Sequence, residues 1–406
     1  MANEQVPFDR DRRTRLAAAE SSARGDLAIV LTGGGARAAY QVGVLRAIAR
    51  RYPNLQPQIV TGVSAGAINA VYLCSSDSGF ERTVEELEQH WSRLEIDRVI
   101  RSDSPSMGAN ALRWGTKLIS GGSPLRPDAR GMVDTSPLEE FLKQILCRDG
   151  EEISGLTENL SRGALKALAV TTLNYTTGQT VTWVMGRGIE MWERPNRRSI
   201  HARITIPHIM ASSALPFIFP AINIAEAWHG DGGVRLVAPL SPALHLGAKR
   251  IIAMTTRYQQ SFEEADQPES SGYPPPVQIA GHLMSAIFLD VIDQDAIRLE
   301  RLNSILRKLS EEQREGMKVI DLLVIRPSVD LGRLAGEYEP KIPPSLRFFL
   351  RGLGSKETSR SDFLSMLMFQ PDYVRRLLEI GEADGEARMD ELAAILDETP
   401  EKQEAG

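Results

Sequence analysis

Ser64 stands at the centre of Gly62-Val63-Ser64-Ala65-Gly66, a G-x-S-x-G set between an apolar run at 58–61 and a helical pattern at 65–73. In that setting the small flanking residues let the backbone hold a sharp, strained turn with the serine at its tip. A serine placed there also faces the positive end of the helix dipole, which favours an oxyanion beside it. The chemistry these residue types predict is attack by the Ser64 hydroxyl on an ester-like carbonyl, with an acyl-enzyme intermediate.

A second stretch supplies the complement. Gly33, Gly34 and Gly35 run into Ala36, Arg37 and Ala38 after the apolar run at 27–32 and before a helical pattern at 38–51. "GGGARA" also fits the dinucleotide fingerprint, which needs an acidic residue at the end of the next strand to hold a ribose hydroxyl. Between positions 27 and 76 there is no Asp or Glu, so that anchor is missing. A P-loop is excluded because no G-K-[ST] follows the glycines. An anion at this loop meets backbone N–H groups, a helix N-terminus and Arg37, with no local carboxylate to oppose it. Adjacent parallel strands place both loops at one sheet edge. The anion expected there is the transient oxyanion of acyl transfer, held by the amides of Gly34, Gly35 and Ala36.

The serine needs a base. The six histidines are His90, His201, His208, His229, His245 and His282. His245 falls in a helical stretch and His282 on a long helix, and neither sits in a loop after a strand. Asp231 in "HGDGGV" follows an apolar run and is flanked by glycines, so it can project from a tight turn. Asp in D-G-G also serves as a plain turn residue, and spacing alone leaves the two readings open.

Taken together, "GGGARA", "GVSAG", "DGG" and "ASSALPFIFP" (211–220) resemble the patatin-like phospholipase family, and "SRSDFLSMLMFQPDYVRRLLEIGEADG" resembles the C-terminal part of its bacterial members. The resemblance implies a three-layer α/β/α fold around a mostly parallel sheet, with extra C-terminal helices. It implies hydrolysis of lipid acyl esters, of phospholipase A or lysophospholipase type, by a Ser–Asp dyad without histidine, metal or other cofactor. By position, Ser64 is the nucleophile and Asp231 the base. Gly33, Gly34, Gly35, Ala36 and Arg37 form the oxyanion loop, Gly62 and Gly66 the elbow, and Gly232 and Gly233 the aspartate motif. The chain departs from the family at Ala38, where the loop usually ends in glycine. The competing reading is a non-catalytic lipid-binding or signalling module on the same fold.

The elements that must position these residues follow from pattern. Strands are expected at 27–32, 58–61, 165–175, 179–185, 250–256 and 318–326, with 165–185 as a hairpin around "TTG". Helices are expected at 38–51, 65–73, 81–91, 208–215 and 279–309. The organisation predicted is a polar arm (1–26), a catalytic core (27–256), a Pro-rich linker (257–278) and a helical extension (279–406) whose strand rejoins the core sheet. The acidic tail from Glu382 to Gly406 is expected to be a solvated helix end and then a disordered terminus. Residues 215–224 are apolar enough to line an acyl pocket. Lys341, Arg347, Arg351 and Lys356, around Phe348, Phe349 and Leu350, either dock on anionic lipid or bury their aromatics.

Composition bounds the class. The chain has 406 residues, 42% hydrophobic and 25% charged, with a net charge of -6, which gives no bias toward nucleic acid. The two cysteines, Cys74 and Cys147, make no disulfide framework or zinc pattern, so a reducing, cytoplasmic setting is expected. No run of 18 apolar residues occurs, so no membrane-spanning helix is expected; peripheral contact with a membrane stays open. Oligomeric state is not encoded in any pattern seen.

Overall fold

Successive side chains of a strand point to opposite faces, so a strand buried on both sides needs apolar residues throughout. The first strand, β1 (Leu27–Leu31), meets this condition. Leu27, Ile29 and Leu31 belong to one buried cluster, Ala28 and Val30 to another. The two clusters are the two faces of one sheet, each covered by helices.

The structure, a computed structural model, describes residues 26–101, 131–148, 152–266, 291–341 and 362–397, with the single positions 279, 282 and 286. The other strands among them are β2 (Ile59–Val63), β3 (Ala167–Asn174), β4 (Thr180–Gly186), β5 (Glu193–Arg194), β6 (Arg197–His201), β7 (Ile222–Ile224), β8 (Ala227–Asp231), β9 (Arg250–Met254) and β10 (Asp321–Ile325). Their spatial order is β10-β9-β1-β2-β3-β4-β6-β5, with β8 pairing β3 and β7. From β10 through β3 every pair is parallel, while β3 and β4 form the expected antiparallel hairpin. Helices α1 (Ala39–Arg51), α2 (Ala65–Ser75), α3 (Phe80–Ser92), α4 (Ser136–Leu146) and α5 (Ser154–Arg162) precede β3. Next come α6 (Ile206–Ser212), α7 (Ser241–His245), α8 (Phe262–Ala265) and α9 (Val291–Leu306). After β10 follow α10 (Leu331–Tyr338), α11 (Asp362–Leu367), α12 (Pro371–Ala387) and α13 (Met389–Leu396). α7 and α9 cover one face; α1, α2, α3 and α12 cover the other.

The strand at 321–325 pairs in parallel with β9. From Glu382 the acidic tail is the end of α12 followed by α13, helical through Leu396. It is less solvated than expected: Asp384, Leu392 and Ile395 are buried. Its acids are engaged: Glu382 binds both Arg46 and Arg50. Arg46 also reaches Glu88 of α3 at 2.5 Å, so one α1 cation joins three helices. Composition hid this because the apolar residues recur at helical spacing beneath the charges. The arm through residue 25, the stretch at 102–130 and the basic segment after Lys341 lie outside the described residues. Lys341 itself pairs with Asp372 at 2.6 Å. The expected linker is described through residue 266 and contains α8, capped by the Ser261 side chain.

The α1–α12 contact depends on missing side chains. A Cβ on Gly43 would lie 2.1 Å from the Leu378 carbonyl oxygen, and one on Gly381 2.1 Å from that of Tyr40. The helices therefore touch backbone to backbone, and any side chain at these points must push them apart. Gly381→Val is expected to lower unfolding free energy by about 3 kcal/mol, the upper range for overpacking. Urea denaturation measures it; an unchanged midpoint would show that the helices separate freely.

Candidate active site

Ser64 follows β2 and precedes α2 with φ 55° and ψ −136°, a strained conformation for a residue with a side chain. Among the described residues five non-glycine residues have positive φ, and Ser64 is one of them. Two neighbours hold the strain. The Ser64 N–H donates to Ser212 Oγ at 2.9 Å, and Ser212 Oγ donates to the Thr171 carbonyl at 2.7 Å. The elbow glycines permit the fit. A Cβ on Gly62 would lie 2.6 Å from the Gly66 carbonyl oxygen, and one on Gly66 2.4 Å from that of Thr32.

The glycine loop arrives from the parallel neighbour β1. A Cβ on Gly33 would stand 2.9 Å from Ser64 Cβ and 3.5 Å from its Oγ, so loop and elbow are in contact. Gly34 (φ 149°) and Gly35 (φ 57°) have backbone angles that favour glycine. Thr256 Oγ1 donates to the Gly33 carbonyl at 2.8 Å and braces the loop from beyond β9. Ala36 and Ala38 are buried, and Ala38 has φ −64°, open to any residue, so its methyl group brings no backbone strain.

Arg37 is placed otherwise than its motif position suggests. Its backbone N–H donates to the Gly34 carbonyl at 3.1 Å. Its guanidinium is buried and binds the Asp362 carboxylate and the Ser365 hydroxyl of α11. Burial would lower its pKa, but Asp362, Tyr373 and Asp330 outweigh that and raise it. The cation thus serves a contact with the C-terminal segment, and its charge is already matched. Ordering alone gives no sign of this, since the partner lies more than 300 residues away in the chain.

Asp231 ends β8, opposite Thr172 of β3. It is fully buried, and Oδ1 accepts the Gly233 N–H at 2.8 Å. Gly232 is pressed on β3, where a Cβ would meet the Thr171 carbonyl oxygen at 2.3 Å. Oδ2 is buried, with no hydrogen-bond partner among the described residues. Burial pushes the carboxyl up to about 7, opposed by the nearby Ser64 hydroxyl and the Gly233 amide. Serine and aspartate are therefore close enough to interact, though short of a formed hydrogen bond.

The described histidine rings are engaged elsewhere. His201 bonds the Gly186 carbonyl at 3.0 Å, His208 caps α6 through Thr205 at 2.8 Å, and His229 meets Thr172 at 3.0 Å. His245 stacks on Trp192. Burial, aided by His229 for His208 and Arg198 for His229, lowers both to about 4, so they are neutral at pH 7. His90 differs: it lines the pocket that opens at Ser64, and its Nε2 lies 3.2 Å from the Tyr72 hydroxyl. Sequence reasoning gave His90 no role, and its place on a surface-type helix offered no signal.

That pocket holds about 610 Å³ of empty space, part of it open to solvent. Ser64, Gly35 and Ser213 line it together with apolar side chains such as Ile68, Leu94, Phe141 and Leu215. Of the expected acyl-lining stretch, Leu215 and Phe219 line it, whereas Phe217 points to solvent. Behind it runs a buried polar network. Gln41 Nε2 donates to the Thr32 carbonyl at 2.7 Å, and Asn69 Nδ2 to the Ala38 carbonyl at 3.1 Å and to Gln41 Oε1 at 3.0 Å. Trp91 Nε1 donates to Asn69 Oδ1 at 2.8 Å. Among the described residues no cluster of His, Cys, Asp and Glu suits a metal ion, and no helix is long and apolar enough to cross a membrane.

The fold and this edge of the sheet define an α/β protein with a serine elbow beside a glycine loop. The model of the patatin-like phospholipase family matches residues 29–244, more than half of the chain, and the chain belongs to that family. No curated protein matches it. Among solved structures it resembles human GIVD cytosolic phospholipase A2 in complex with methyl gamma-linolenyl fluorophosphonate, at 13% identity and TM-score 0.43. That likeness covers 97% of this chain and 63% of the human one, so the chain spans less than two thirds of that enzyme's length. VipD from Legionella pneumophila is also similar, at 13% identity and TM-score 0.35, over 91% of this chain and 67% of VipD. ExoU in the ExoU–SpcU complex from Pseudomonas aeruginosa follows at 14% and 0.26, covering 91% and 76%.

Two measurable consequences follow from the geometry. Between the ordinary aspartate pKa and about 7, folded Asp231 keeps a proton that the unfolded chain releases, so its contribution to stability falls as pH rises through that window. Asp231→Asn lacks this titration and is expected to exceed the parent by about 2–4 kcal/mol at pH 8, with little gain at pH 4. Parallel stability–pH curves would contradict it. Asp362→Ala leaves the buried Arg37 cation short of its partner. The expected loss is about 2–3 kcal/mol by denaturant titration, below the full cost of breaking a buried pair because Asp362 is 36% exposed.

Proposed function

We propose that the protein is a serine-dependent lipid acyl hydrolase, of phospholipase A or lysophospholipase type, working through Ser64 and Asp231. The observation that carries this reading is the strained Ser64 elbow, in reach of the buried Asp231 carboxylate and lining a largely apolar pocket. Family membership supports the substrate class. Asp231 takes the proton as Ser64 Oγ attacks the ester carbonyl. The alcohol leaves with a proton, and water repeats the sequence to free the fatty acid. The Gly34, Gly35 and Ala36 amides, at the contact point of loop and elbow, hold the oxyanion. A desolvated carboxyl near pKa 7 is a better acceptor than an ordinary aspartate, which supports its role as base. Peripheral contact with a membrane surface belongs to this reading, since the substrate resides there. A lipid-binding module without turnover is the alternative, and an unreactive Ser64 would favour it.

The test has three arms. Ser64→Ala is expected to abolish both hydrolysis of a soluble ester and labelling by a fluorophosphonate. Asp231→Asn is expected to lower turnover at least about a hundredfold. The parent kcat/KM should rise with pH through an apparent pKa near 7, because only the ionised carboxylate accepts the proton. His90→Ala belongs in the panel, with circular dichroism to confirm folding. A dead, folded His90→Ala beside an active Asp231→Asn would replace the aspartate base by a histidine.

A further inference from the structure

The family match ends at residue 244, yet the pocket at Ser64 is finished by residues far beyond it. Met366, Leu367 and Phe369, from α11 and the turn after it, line the same cavity as Ser64. All three are buried. Their placement is tied to the glycine loop twice. Arg37 holds Asp362 and Ser365 at the start of α11. Gly35 packs so closely on α11 that a Cβ there would lie 2.1 Å from the Met366 carbonyl oxygen.

An aromatic pair lines the pocket. The Trp91 and Phe369 rings stack with centroids 6.5 Å apart and planes 18° from parallel. Trp91 is fixed by its bond to Asn69 Oδ1. Asn69 lies five residues after Ser64 on α2, so the point where Trp91 bonds that helix is roughly 7.5 Å along its axis from the nucleophile's position. Ile68 and Leu94 line the same cavity. An acyl chain carried on Ser64 enters a cavity whose apolar lining includes Phe369.

We infer that Phe369, with Met366 and Leu367, forms the wall that sets the length of acyl chain the pocket accepts, and that Arg37 holds this C-terminal wall against the oxyanion loop. The inference rests on the reading of the pocket as an acyl site. The wall is built from aromatic and aliphatic groups with no polar partner to offer a head group, so the ligand it selects is a fatty-acyl chain.

The test compares the parent with Phe369→Leu, Phe369→Ala and Phe369→Trp, all checked for folding by circular dichroism. The first readout is kcat/KM on p-nitrophenyl esters from butyryl to palmitoyl. Phe369→Leu and Phe369→Ala are expected to raise the ratio of long-chain to butyryl ester turnover by about tenfold, and Phe369→Trp to lower it, since a methylene or two of pocket depth is worth that much discrimination. The second readout is calorimetric binding of free fatty acids of the same lengths to Ser64→Ala protein with and without each change at Phe369. It needs no turnover, so a protein that fails to hydrolyse esters still reports on the wall. A preferred chain length that moves upward with the smaller side chains supports the inference. An unchanged length profile in folded variants, by either readout, overturns it and leaves the segment a scaffold.

Discussion

The site depends on the contact between Gly33 and Ser64. Two loops leaving adjacent parallel strands reach the same sheet edge, but reaching it does not bring them together. They touch because position 33 carries no side chain where the Ser64 Cβ already stands. That contact sets how far any oxyanion formed on Ser64 can be from the loop amides. Other parts of the structure keep it closed. Thr256 pulls on the loop from β9, Ser212 pulls on the elbow from α6, and the Gln41–Asn69–Trp91 network joins the helices that follow each loop.

The C-terminal segment belongs to the same arrangement. α12 lies against α1 backbone to backbone, and α11 lies against the glycine loop itself. A buried guanidinium at Arg37 would be costly alone, and α11 supplies its partner. The loop thus needs the far end of the chain for charge balance as well as for packing, and the pocket gains a wall in return. The glycine loop and α11 are bonded directly, although 325 residues separate Arg37 from Asp362.

Legibility in the sequence followed the range of the interaction. The strands at β1, β2, β9 and β10 were readable because burial on both faces writes a continuous apolar run. The serine elbow and glycine loop were readable because strained turns admit few residue types. The aspartate motif carried less signal, since D-G-G also suits an ordinary turn, and it gained weight only beside the other motifs. Contacts across the chain left no local trace. Ser212 and Thr256 are small polar residues among many, and their importance lies in the carbonyls and amides they reach. Arg37 read as a free cation beside an anion site because its partner is remote. The tail from Glu382 read as a solvated helix end because its charges dominate composition, while Leu392 and Ile395 beneath them are buried. Asn69 did leave a hint, as a lone polar residue inside the apolar run at 65–74.

The most costly feature of the site is also the one most suited to acyl transfer. A fully buried carboxylate with one oxygen unpartnered is a poor choice for stability, since desolvation disfavours its charge. The same desolvation moves its affinity for a proton into the range of neutral pH. One hydrogen bond from Gly233 orients the group without satisfying it, and the unpartnered Oδ2 retains the capacity to accept. A second donor would lower the pKa further. The Ser64 backbone is strained in the same sense, held at φ 55° by neighbours that relax poorly. Both departures lie at strand ends, Ser64 just after β2 and Asp231 at the end of β8. There the surrounding α/β/α core, buried on both faces of β1 and β2, resists the local rearrangements that would relieve them.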